Sequence, residues 1–161
     1  MKKEIQNPYS DNNCFFCGSE NKKGLNLTCY WDEEKNEVST EYLPAQHFVG
    51  QGDILHGGIQ MGLIDELMGW TSYMLTKEMA VTTAIDIKFL RPTYICGKKI
   101  SVTCRVISTE GPRVNMVATL SDNEGEKCTT ATGTYHILPQ NKYNDLIYNR
   151  SEIEGEHQAG K

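Results

Sequence analysis

No run in this chain approaches the roughly 18 consecutive apolar residues that a membrane-spanning helix needs. The opening stretch MKKEIQNPYSDNN also lacks the apolar segment of a secretory leader. The expectation is a cytoplasmic protein with no membrane partner. An excess of positive charge is missing as well: 16 Lys plus Arg stand against 21 Asp plus Glu, a net charge of -5. That is the wrong sign for a protein whose main partner is nucleic acid or an anionic bilayer, so any anionic ligand must be met by local cations. There is no internal repeat and no low-complexity block. Hydrophobic residues at 39% and charged residues at 23% lie near the globular average, which excludes wholesale disorder and collagen-like or coiled-coil chains. What is there is a chain of 161 residues, long enough for one domain with a sizeable core and too short for two comfortable ones.

Six cysteines would suit a disulfide scaffold only in a small secreted chain, and here they read as reduced thiols. Cys14-Phe15-Phe16-Cys17-Gly18 looks like half of a zinc knuckle. A four-ligand site would need two more ligands, from Cys29, His47 or a second protomer, and the expectation is that neither a metal nor a separate cofactor is held. A redox role is disfavoured because no basic residue lies within the motif.

Residues 1–24 are polar and broken by Pro8, Gly18 and Gly24, and read as an arm. Two alternating stretches follow, 25–31 and 37–43, separated by the charged turn Asp32-Glu33-Glu34-Lys35-Asn36. Over 57–76 the period changes: Ile59, Leu63, Leu67 and Met74 share one stripe that Met61, Ile64 and Met68 widen, predicting a largely buried helix. Alternation returns in four runs, roughly 80–91, 98–109, 113–121 and 126–138, with turns at Gly97, Glu110-Gly111-Pro112 and Asp122-Asn123-Glu124-Gly125. This order predicts an α+β domain over 25–138 with an antiparallel sheet of about six strands covered by one long helix. The other face of the sheet must be solvated or paired with another copy. Residues 139–161 show little periodicity and are expected to form a frayed tail.

The helix carries the chemistry. Its sequence from His56 to Trp70 holds four glycines, each costing on the order of 1 kcal/mol relative to Ala in a helix interior. Gly58, Gly62, Asp65, Gly69 and Ser72 recur at steps of four, three, four and three, a narrow stripe of small residues with a carboxylate in it. The glycines are open to two readings, close packing on the sheet or close approach by a ligand or another backbone. Asp65, amid Leu63, Ile64, Leu67 and Met68, is costly to bury unless hydrogen-bonded or used. Glu66 falls about 100° further round and reads as the partly exposed member of the pair.

At the helix start, Gly57 and Gly58 present backbone N–H groups at the positive end of the dipole, suited to a carbonyl oxygen that gains charge during attack. His56 either braces that turn through its ring or transfers a proton. Asp65 lies seven residues beyond Gly58, about 10 Å along the axis, too far for both to act on one carbonyl. If they act together, a second protomer must supply Asp65, which implies a two-fold dimer with two sites.

His56-Gly57-Gly58 followed by Asp65, with Phe89-Leu90-Arg91-Pro92 closing the next strand, resembles the hotdog-fold acyl-CoA thioesterases of the phenylacetyl-CoA (PaaI-like) branch, over about 14–138. The resemblance implies an acyl-CoA substrate, a homodimer or a dimer of dimers, Gly57 as the amide that polarises the thioester carbonyl, and Asp65 from the opposing subunit as nucleophile or general base. It implies a supporting role for His56 and a water-positioning hydroxyl at Thr82. Strand alternation, however, puts Val81, Thr83, Ile85, Ile87 and Phe89 on the apolar face and Thr82 on the other. Several family members carry an Asn six residues before the histidine; here Gly50 stands there, and Gln51 is the nearest replacement. The anionic coenzyme needs cations, for which Arg91, Arg113 and Lys88 are candidates beside Gln51 and Glu66 as substrate contacts. A non-catalytic acyl-CoA sensor and a hotdog hydratase or dehydratase are the alternatives. The sensor would need no carboxylate on the small-residue stripe, and the hydratase would use a differently spaced acid and histidine.

Overall fold

The four alternating runs of the C-terminal half become four long antiparallel strands. In a computed structural model that describes residues 1–8 and 12–148, they are β4 (Ala80–Phe89), β5 (Ile100–Glu110), β6 (Arg113–Ser121) and β7 (Lys127–Ile137). Upstream of them lie β1 (Lys2–Glu4), β2 (Tyr30–Asp32), β3 (Glu37–Tyr42) and the helix α1 (Gly57–Thr76), and α2 (Gln140–Tyr148) follows. The sheet has seven strands in the order β1-β2-β3-β5-β6-β7-β4, all antiparallel.

The helix matches the sequence period because Leu63, Ile64, Leu67 and Met68 have no exposed surface and meet Val38, Val102, Val114, Met116 and Leu120 from the sheet. Its C-terminus closes at Lys77, which adopts the left-handed conformation (φ 60°) and donates its N–H to the Tyr73 carbonyl. A buried Gln60 braces the first turn. Its amide donates to the Leu55 carbonyl, and its carbonyl accepts from Thr93 and Thr129.

Three expectations change. The stretch 25–31 is a strand only at Tyr30–Asp32; Leu25 and Leu27 instead donate backbone N–H groups to Phe15 and Phe16 of the arm. The arm is therefore part of the fold, with β1 adding a seventh strand and Phe16 lying on α1. A methyl at Gly62 would come within 2.1 Å of the Phe16 ring, so this glycine admits the arm rather than the sheet. The segment expected to fray carries α2 at Gln140–Tyr148; residues 149–161 lie outside the described residues.

The strand β4 contains the feature that most affects the site. Its register on β7 slips between Thr82, opposite Tyr135, and Ala84, opposite Thr134, leaving Thr83 as a bulge. A bulge of one residue reverses the alternation. Thr82 therefore shares the helix-facing side with Ile85 and Ile87, which correct the face assigned from the sequence pattern.

Candidate active site

The first half of the site is built at the start of α1. His56 is its N-cap, and its ring Nδ1 accepts from the Gly58 N–H at 2.9 Å. That bond leaves Nε2 as the ring position carrying the proton. It also corrects the expectation that both glycine amides are unobstructed: the Gly58 amide is used by the cap. The Gly57 N–H makes no hydrogen bond among the described residues. Gly57 lines an open cavity with Ile54, Leu55, Phe89 and Arg91. The Phe89 ring lies so close that a methyl at Gly57 would sit 3.1 Å from it, which favours glycine at this position.

The second half lies two turns along. The Oδ1 of Asp65 accepts from the Thr82 hydroxyl at 2.7 Å, and Tyr135 donates its hydroxyl both to Oδ1 and to the Asp65 carbonyl. Among the described residues no donor reaches Oδ2. Tyr135 is 2% exposed, and its phenol is held in the protonated form well above the usual range, first by burial and then by the hydrogen bond to Asp65. Asp65 is thus a half-buried carboxylate anchored through one oxygen with the other available.

These groups line a cavity of about 400 Å³ with Glu66, Gly69, Trp70, Cys14 and Cys17. No Lys, Arg or His lines it among the described residues. Gly69 faces open space there. Glu66 accepts from the Trp70 indole N–H at 2.8 Å through Oε1 and meets the Cys14 thiol at 3.7 Å through Oε2. Burial is the main cause that raises its carboxyl to about 7. The Cys17 thiol holds Cys14 down at about 5, while Cys17 itself is pushed up.

The two halves share no lining residue, in keeping with the separation along the helix axis. Arg91 belongs to the Gly57 cavity and pairs with Glu126 at 2.9 Å on the surface. Lys88 and Arg113 do not join either half. Lys88 stands opposite Thr130 and Arg113 opposite His136, each next to a helix-facing residue and so turned away from α1. Gln51 is exposed in the loop before α1, where its carbonyl accepts from the Ile54 N–H. The sequence reading missed Tyr135 and Trp70 as donors to the paired carboxylates, where Tyr135 joins Thr82 on Asp65 and Trp70 holds Glu66.

An antiparallel sheet packed along one long helix is the hotdog fold. Residues 52–129 match the family described as Thioesterase superfamily. Among solved structures, the fold is similar to that of a thioesterase superfamily protein (TM-score 0.70, 16% identity, 78% of this chain and 60% of that one). The chain thus spans about 60% of that relative's length. It is also similar to the E. coli PaaI protein from the phenylacetic acid degradation operon (TM-score 0.60, 17% identity, 65% of this chain and 74% of that one). A third is the BH2602 protein from Bacillus halodurans, solved with CoA (TM-score 0.61, 18% identity, 70% of this chain and 74% of that one). At these identities the likeness is one of fold. No curated protein matches the sequence significantly.

Proposed function

We propose that the protein hydrolyses an acyl-CoA thioester to a free carboxylic acid and coenzyme A, using Gly57 of one protomer and Asp65 of its partner in a two-fold dimer. The observation that carries this reading is the Asp65 carboxylate, fixed through Oδ1 by Thr82 and Tyr135 at the wall of a cavity. A carboxylate held for packing alone would have no reason to line a cavity with one oxygen anchored by two hydroxyls and the other without a donor among the described residues. The CoA seen with the Bacillus halodurans relative fits the same substrate class.

In the base-catalysed route, Asp65 Oδ2 takes a proton from water, and the water oxygen bonds to the thioester carbon. The carbonyl oxygen becomes an oxyanion facing the Gly57 N–H at the positive end of α1. Collapse breaks the C–S bond and releases the coenzyme as thiolate, which takes up the proton. Direct attack by Oδ2 instead gives a mixed anhydride that water then cleaves. His56 orders the helix start, and Arg91, which lines the cavity at Gly57, is the cation offered to a coenzyme phosphate. Dimerisation is supported by β4, which lies at the sheet edge among the described residues, the position from which a strand can pair with another copy.

Thiol-release kinetics over acyl-CoA substrates of graded length and aromaticity test the reading, with Asp65→Asn beside the wild type. Hydrolysis that Asp65→Asn abolishes is the expected result. Undiminished hydrolysis in the variant would sink the mechanism, and CoA binding without hydrolysis of any thioester would point to a sensor. Full activity from a sedimentation-defined monomer would sink the shared site.

A further inference from the structure

The arm brings two thiols onto the helix beside a carboxylate that the hydrolysis scheme does not use. The Sγ atoms of Cys14 and Cys17 and a carboxylate oxygen of Glu66 all lie within 4.8 Å of one another. A tetrahedral zinc ion with bonds of about 2.3 Å to sulfur and 2.0 Å to oxygen sets its ligands about 3.5–3.8 Å apart. The Cys14 Sγ to Glu66 Oε2 separation of 3.7 Å falls in that range.

Three further observations make this a built site. The Trp70 indole holds Oε1 of Glu66 and thereby turns Oε2 to the thiols, the arrangement by which outer partners orient metal ligands. The Cys14–Cys17 turn is locked, because the Gly18 N–H donates to the Cys14 carbonyl at 2.9 Å and Phe16 is seated in the gap at Gly62. Finally, Asp65, Glu66 and both thiols converge on one cavity that no Lys, Arg or His lines among the described residues. Such a donor set is matched by a cation, and thiolate sulfur selects a borderline-soft one.

We infer that Cys14, Cys17 and Glu66 form a site for a single zinc-class divalent ion, with its fourth position open to the cavity. The sequence expectation of no metal considered Cys29, His47 or a second protomer for the missing ligands; the helix supplies Glu66 instead, one residue from Asp65. This inference does not rest on the proposed hydrolysis, and its readout needs no thioester.

The test titrates fully reduced, metal-stripped protein with Co²⁺ and then Zn²⁺. One equivalent of Co²⁺ should give a thiolate-to-metal charge-transfer band in the near ultraviolet, which Zn²⁺ displaces. Cys14→Ser/Cys17→Ser should lose the band, and Trp70→Phe should weaken binding about 10–100-fold. In wild-type protein, Zn²⁺ should protect Cys14 and Cys17 from alkylation, mapped by peptide mass spectrometry, while the exposed Cys96 stays reactive. That arm stands even if the double variant fails to fold. A reduced wild-type protein without the band, or alkylation of Cys14 and Cys17 unchanged by Zn²⁺, would overturn the inference.

Discussion

If Asp65 acts through Oδ2, then the two hydroxyls on Oδ1 should matter for turnover beyond any effect on stability. Tyr135→Phe keeps a ring that is 2% exposed and removes only the hydroxyl; Thr82→Val keeps the branched shape and removes the 2.7 Å bond. A hydrogen bond to a charged group is worth about 1.5–3 kcal/mol, and each 1.36 kcal/mol of barrier is about tenfold in rate. Each variant should therefore lose roughly ten- to one-hundred-fold in kcat, with KM nearly unchanged, because the lost contact orients the reacting oxygen rather than the substrate. The double variant should fall short of the product of the two, since the first loss already lets the carboxylate turn. Thiol-release assays at saturating and limiting substrate separate the two parameters, and thermal unfolding checks that both proteins remain folded. Unchanged kcat in both single variants, with Asp65→Asn inactive, would refute the anchoring role. A raised KM with kcat intact would assign the hydroxyls to substrate binding.

Two further outcomes follow from packing and burial. Gly62→Ala should destabilise the wild type despite gaining about 1 kcal/mol of helix propensity, because the new methyl displaces the Phe16 ring; in a Phe16→Ala background the same change should stabilise, and denaturant melts of the four proteins read the reversal. At pH 8 an alkylating reagent should modify the exposed Cys96 quickly and leave Cys29 and Cys104 unmodified until the chain unfolds, because burial pushes both thiols up to about 12 and keeps them protonated below that pH.

Long periodic segments were legible because their burial is set by the period itself. The helix over 57–76 and the strands β5 to β7 follow their hydrophobic spacing throughout, and β4 follows it apart from the bulge at Thr83. Where the structure departs from that reading, a contact distant in sequence decides. The stretch 25–29 alternates like a strand, yet the backbone donors of Leu25 and Leu27 go to the arm. Tyr135 reads as one more inward residue of β7, and nothing local reveals that its hydroxyl meets a carboxylate 70 positions earlier. Glu66 reads in the sequence as the partly exposed neighbour of Asp65, and nothing local shows that Cys14 and Trp70 hold its two oxygens.

Thr82 joins these two levels. The resemblance assigned it to the site and strict alternation assigned it to the opposite face; both are reconciled by the single bulged residue Thr83. The bulge leaves an independent mark, since the Thr83 hydroxyl donates to the Thr134 carbonyl at 2.7 Å, on the strand against which the register slips. An extra residue in one strand costs a ladder bond and gains a turned side chain, which is why bulges gather beside functional groups. Here the side chain it turns inward is the one that holds Oδ1 of Asp65. The same conflict between a site residue and its strand period, met in a sequence alone, is therefore itself evidence for a bulge at that point.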